Sequence, residues 1–206
     1  MVRLVILLCA CVVAGCVAAP PQVHTSVSAF AAPEAAMAGK SFHMAPITEG
    51  HNDSLEWEQY AKDVSDLLVG YGMVPAPNLE EADLIAFFDF TINEGEAITS
   101  AYTRPNFGVT GYSGATTFGN TMRLNPTYGV TGYSTHHRTD IVYTRQARLL
   151  IAERRQEELL FESNVISRGG CPNFGVVAPY ILPALTHTFP EGGSTVIRQE
   201  VEALSC

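Results

Sequence analysis

Three stretches of the chain alternate apolar and polar residues with a period of two. Residues 82–93 place Leu84, Ala86, Phe88, Phe90 and Ile92 on one side and Asp83, Ile85, Phe87, Asp89 and Thr91 on the other, which predicts a central strand. Asp140–Ala152 predicts a second long strand, with Ile141, Tyr143, Ala147, Leu149 and Ile151 on one face and Thr144, Gln146 and Arg148 on a more polar one. After a break at Glu153–Gln156, Leu159–Ile166 returns as its antiparallel partner. Ser41–Pro46 and Thr195–Val201 predict a short opening strand and a closing one. A helical period takes over between them: Trp57, Tyr60, Ala61, Val64, Leu67, Leu68 and Tyr71 form one stripe that faces a core. Asp53, with Glu56 three residues on, offers the cap, and Gly70 and Gly72 the stop. Pro179–Thr188 predicts a second helix with Pro179 near its first turn, opposed by Pro183, which removes an amide donor from its interior. The fold class is therefore α/β or α+β, an antiparallel or mixed sheet packed against one or two helices in a single layered domain.

Composition narrows the functions open to such a fold. The chain has 206 residues, of which 47% are hydrophobic and 16% charged, too apolar for a disordered chain and too poor in charge for a long coiled coil. A net charge of -9 with few clustered cations excludes a general nucleic-acid binder, which needs Lys and Arg to displace counterions from phosphates. Charge is also segregated: residues 41–100 carry 12 acidic side chains against Lys62, and 101–155 carry seven arginines against Asp140 and Glu153. Opposite patches of this kind permit docking or self-association; the competing reading is an acidic helix face and an arginine-bearing strand that are simply solvated or paired. Arg145, Arg148, Arg154 and Arg155 are positioned to meet anionic lipid headgroups.

The start of the chain sets the compartment. A positive Met1–Arg3, an apolar run over Leu4–Val13 and then Val13-Ala14-Gly15-Cys16 have the layout of a secretory signal. The run is too short to span a bilayer as a helix, since ten residues reach only about 15 Å. Val13-Ala14-Gly15-Cys16 resembles the lipobox of bacterial lipoproteins, which implies that residues 1–15 are removed and that Cys16 carries the lipid. Val17 rather than Asp after that cysteine resembles lipoproteins sorted to the outer membrane, so the expected location is a lipid anchor there, facing the periplasm. Residues 16–38, rich in Ala, Pro, Val and Ser, are expected to be the lipidated end and a flexible tether, with the globular domain over 39–206. Cys171 and Cys206 remain as a disulfide candidate whose closed loop adds on the order of 3 to 4 kcal/mol; the alternative is a frayed Cys206 and a merely buried Cys171.

One segment belongs to neither strands nor helices. Pro105-Asn106-Phe107-Gly108-Val109-Thr110-Gly111-Tyr112-Ser113 recurs as Pro126-Thr127-Tyr128-Gly129-Val130-Thr131-Gly132-Tyr133-Ser134. Two units are too few for a solenoid, so residues 102–134 are expected to be an inserted loop or long hairpin. Phe107, Tyr112, Tyr128 and Tyr133, with Phe118 nearby, offer aromatic platforms for an envelope protein or a glycan; a hairpin that only covers a sheet face is the competing reading. His136 and His137 precede Asp140, but neighbours on a strand point to opposite faces, so no metal site or cofactor is expected. No nucleophile elbow, zinc-protease helix or phosphate loop occurs.

Taken together, the lipobox, Gly39-Lys40-Ser41-Phe42, Tyr60, Gly70-Tyr71-Gly72, Ala82-Asp83-Leu84, the Arg145–Ile151 strand and Phe189-Pro190 resemble the domain of unknown function 4136 family of bacterial envelope lipoproteins over residues 39–201. Phe161 stands where many such domains have tryptophan. The resemblance implies a lipoprotein domain with no assigned activity and no catalytic residue to carry over. The expected function is a non-enzymatic envelope binding or structural protein, attached to the membrane by its lipid; a cell-wall or glycan-acting enzyme and a carrier of lipid or small ligands are the alternatives.

Overall fold

The structure, a computed structural model, describes residues 22–33, 35–201 and 206. It is dominated by strands, which hold 57% of the described residues in a mixed sheet with two helices packed on it, an α+β arrangement. The chain divides into two compact units, the hairpin region over 95–142 and the rest.

In the larger unit the strands are β1 (Gln22–Ala31), β2 (Ser41–Pro46), β3 (Val74–Pro75), β4 (Leu84–Ile92), the end of β6 (Thr121–Glu153), β7 (Leu159–Gly169) and β8 (Gly193–Glu200). Their order across the sheet is β3-β2-β4-β6-β7-β1-β8. β2 runs parallel to both β3 and β4, and every other pairing is antiparallel. Helix α1 (Leu55–Gly70) makes the crossover from β2 to β4 that a parallel pair requires. The predicted β4-β6-β7 succession is present in that order, and the opening strand matches at both ends.

The expected tether is corrected. Residues 22–31 form β1, inserted between β7 and β8, with Val23, Thr25, Val27 and Ala29 buried alternately. The alternation is plain in Val23-His24-Thr25-Ser26-Val27-Ser28-Ala29, but an Ala/Ser-rich composition disguises it, because small residues suffice where a strand lies flat beneath helices. The body thus includes residues 22–31, ahead of the residue 39 expected for its start. Cys16 and the lipobox lie outside the described residues.

Helix α1 is capped one residue later than expected: the Ser54 hydroxyl accepts from the Trp57 amide at 3.3 Å. Trp57, Tyr60, Ala61, Val64 and Leu68 make its buried face. Helix α2 (Phe174–Ile181) begins five residues before the predicted one, because Asn173 caps it by accepting from the Gly175 amide at 2.9 Å; Pro179 sits inside it and a 3-10 turn over Leu182–Thr186 follows. Both helices cover the sheet face that carries Leu84, Ala86, Phe88, Ala147, Leu149, Ile151, Phe161 and Val165, all at or near zero exposure. The Trp57 indole donates to the Phe88 carbonyl at 3.0 Å, so the helix is tied to the strand's backbone as well as to its side chains.

Tyr60 links this core to its surface. Its hydroxyl donates to Glu56 Oε1 at 3.0 Å, and burial, followed by the Glu56 carboxylate, pushes the phenol up to about 12. A raised folded value means that the stabilisation is complete below the unfolded value, about 10, and is lost as pH rises through about 12. Thermal midpoints measured on a rising alkaline series should fall more steeply for the wild type than for Tyr60→Phe; parallel curves would contradict the assignment.

Cys171 and Cys206 are bonded, with Cα atoms 5.5 Å apart, closing a loop 35 residues long that contains α2 and β8. Arg145 was expected at the lipid-facing surface and is instead buried at 3% exposure, a second correction. It shares the parity of Ala147, Leu149 and Ile151, so the strand turns it under the helices, where Nη1 donates to the Cys171 carbonyl at 3.4 Å. Desolvation there lowers the guanidinium's pKa.

Candidate functional site

The helix-free face of the sheet carries a polar row assembled by register. Asp89 on β4 lies opposite Arg148 on β6, which lies opposite Asn164 on β7. Asp89 is 6% exposed and accepts from the Thr48 hydroxyl at 2.5 Å, from its neighbour's amide at Phe90 at 2.9 Å, and from His51 Nδ1 at 2.6 Å. A carboxylate can only accept, so His51 donates to it through an Nδ1 proton and Nε2 is turned away from the pair. Arg148 reaches Glu162 at 3.5 Å, and Gln146 donates to Asn164 Oδ1 at 2.6 Å. Ile47, Thr48, Asp89, Phe90, Thr91, Gln146 and Arg148 line a cleft of about 170 Å³, smaller than the roughly 300 Å³ at which small-molecule sites begin.

Neither His51 nor Asp89 was singled out by spacing. The available signal was a carboxylate in the middle of an otherwise apolar strand. Because three donors converge on it, Asp89→Ala should cost about 1–3 kcal/mol in chemical denaturation, and Asp89→Asn less. A loss below about 0.5 kcal/mol would show that the network is not formed in solution.

The predicted insertion is a hairpin, β5 (Glu96–Phe118) against the first part of β6, longer than the 102–134 expected for it. Its two nonapeptides are each other's partners. Pro105 lies opposite Tyr133 and Tyr112 opposite Pro126, Phe107 opposite Val130 and Val109 opposite Tyr128, with Gly108 facing Gly129 at the centre. This is a local two-fold arrangement. Register shifts leave Thr131, Thr110 and Ser113 as the extra residues, and the hydroxyls of the two threonines donate to the carbonyls of Asn106 and Thr127, both at 3.2 Å. Each threonine closes over the facing glycine: a β-carbon on Gly108 or Gly129 would meet a Thr methyl at 3.0 Å.

Opposed residues share a face and successive rows alternate, so the register sorts the hairpin's side chains. One face carries Pro105, Phe107, Val109, Tyr112, Ala115 and Thr117 from β5, opposite Tyr133, Val130, Tyr128, Pro126, Leu124 and Met122 from β6. The other carries Asn106, the central glycines and threonines, and every charged side chain of the unit: Glu96, Arg104, Arg123, Arg138 and Asp140. Contacts agree with this sorting. Arg104 lies over the Tyr102 ring at 5.3 Å, Tyr102 stacks on His136, and Arg138 pairs with Asp140 at 2.8 Å, all on the charged face. His137 falls on the opposite face from His136 and Asp140. The four aromatic residues singled out in the sequence are brought together and exposed, Phe107 at 73%, Tyr112 at 62%, Tyr128 at 70% and Tyr133 at 71%. Phe118 lies on the other face at the tip.

No family model matches the chain, and no curated protein matches its sequence. Solved structures similar to it include a PDZ domain protein from Parabacteroides distasonis ATCC 8503, 13% identical over 87% of this chain with a TM-score of 0.46. Another is the PelC dodecamer from Paraburkholderia phytofirmans, 12% identical over 79% of this chain and 94% of the other, with a TM-score of 0.39. The chain spans 39% of the length of the first of these.

Proposed function

We propose that this chain is a bacterial envelope lipoprotein, anchored through Cys16 at the outer membrane and facing the periplasm, that works by binding rather than by catalysis. The uncharged face of the β5–β6 hairpin is its working surface, and the resemblance to the domain of unknown function 4136 family belongs to the same reading. The supporting observation is that Phe107, Tyr112, Tyr128 and Tyr133 stand exposed together on a face without charge, which is costly in water unless something covers it. Crosslinking in intact envelopes should recover specific neighbours that are lost when residues 102–134 are deleted; an unchanged set of neighbours would overturn the proposal.

The anchor is tested separately. Mass spectrometry should find a mature chain that begins at an acylated Cys16, and Cys16→Ser introduced into the hairpin-deleted protein should move nearly all of it to the soluble fraction, because each buried methylene contributes about 0.8 kcal/mol. Retention of residues 1–15 would contradict it.

A second reading, an enzyme acting on cell-wall or glycan material, takes its support from the Asp89–His51 pair beside an open cleft: an imidazole tied down at Nδ1 presents Nε2 as a base. His51→Ala abolishing turnover of peptidoglycan by the full chain would favour it over the binding reading.

A further inference from the structure

We infer that the β5–β6 hairpin spans a lipid bilayer as one stave of a β-barrel closed by several copies of this chain, with the uncharged face toward hydrocarbon and the charged face toward a water-filled lumen. The inference rests on the hairpin being the working surface and names what covers it.

The first support is dimension. From the Pro105–Tyr133 row to the Thr117–Met122 row, over eleven paired rows, the uncharged face carries only apolar and aromatic residues apart from Thr117, whereas toward the body it continues with Thr103, Thr135, His137, Thr99 and Thr139. At about 3.3 Å per residue this band is about 33 Å long, and at a strand tilt of about 40° it rises about 25 Å, the height of the apolar band of membrane barrels. The second is chemistry. Alternation of apolar residues with glycine, threonine, asparagine and arginine is the pattern of a strand that meets lipid on one side and water on the other. A soluble hairpin has no reason to keep all its charges on one face while both faces meet water.

The third is the edges. Among the described residues no strand pairs the outer edge of β5 or the outer edge of β6 along the hairpin, and each strand lacks an amide donor at one interior position, Pro105 or Pro126. Open edges do not persist in hydrocarbon, where each unpaired backbone group is costly. Pairing β5 of one copy with β6 of the next satisfies both edges, and this head-to-tail contact repeats until a ring with an even number of strands closes. A protein partner fits less well. A two-stranded ribbon about 10 Å wide and 33 Å long offers a footprint of roughly 300 Å², against the roughly 800 Å² per partner of a stable complex.

The test uses the purified full chain and vesicles of phosphatidylethanolamine with a minority of phosphatidylglycerol, loaded with carboxyfluorescein. Wild type should release the dye and yield a crosslinked ring of copies. Val109→Arg and Tyr128→Arg, on the uncharged face, should slow release at least about tenfold, whereas Asn106→Arg and Thr127→Arg should stay within about threefold of wild type. Thermal melts of the body check that each variant is folded. Absence of release by wild type, equal losses on both faces, or release by a protein that stays monomeric would each overturn the inference. If release is absent while deletion of 102–134 still strips the crosslinked neighbours from envelopes, the barrel falls and the binding role stands; if that deletion changes nothing in envelopes, the binding role falls.

Discussion

Phe88→Ala is expected to lower the stability of the body by about 3–5 kcal/mol, with the denaturant midpoint falling and its slope unchanged. The ring has zero exposure in the middle of β4, between Trp57 at 6.5 Å and Phe90 at 6.3 Å, and lies under α1. Truncation removes its transfer energy and leaves a cavity that neighbours held by two strands and a helix cannot fill. The Trp57 hydrogen bond survives, since it is made to the backbone carbonyl. Phe107→Ala is the internal control: it removes the same atoms, but at 73% exposure it should shift stability by less than about 0.5 kcal/mol. A Phe88→Ala cost below about 1 kcal/mol, or equal costs at the two positions, would show that the core is not packed as described.

Breaking the Cys171–Cys206 bond should cost about 3 to 4 kcal/mol, by the chain entropy that a 35-residue loop regains on unfolding. The loop carries α2, whose Phe174, Val177, Ala178 and Ile181 enter the core, and β8, which pairs β1. Cys171→Ser and reduced wild type should therefore unfold at the same denaturant concentration, both well below oxidised wild type. If reduction leaves the midpoint of wild type unchanged, the bond does not form in solution.

The elements that the sequence made legible are those whose signal is local. β4 and β7 show their period of two in consecutive side chains, and α1 shows its stripe, so each was placed to within a few residues. β1 was missed because its evidence lies elsewhere: only partners beyond residue 160 turn Val23, Val27 and Ala29 into core. α2 was displaced because prolines drew attention away from Asn173, the residue that caps it. In the hairpin the aromatic residues were visible and their common face was not. Register shifts at Asn106/Phe107, Val109/Gly111 and Tyr112/Gly114 each change the parity, so counting by twos along the chain assigns the wrong sides. Arg145 was misplaced for a different reason: its parity was available, but a guanidinium was assumed to prefer water.

The position of β1 has a bearing on the order in which the molecule can be completed. This strand leaves the ribosome before any other described element, while both its neighbours in the sheet, β7 and β8, are among the last to be made. Contacts so distant in sequence are slow to form, and an unmatched strand is prone to find the wrong mate. On the proposed route of export, β1 must therefore stay unpaired, kept apart from other strands, until nearly all of the polypeptide has followed it across the membrane.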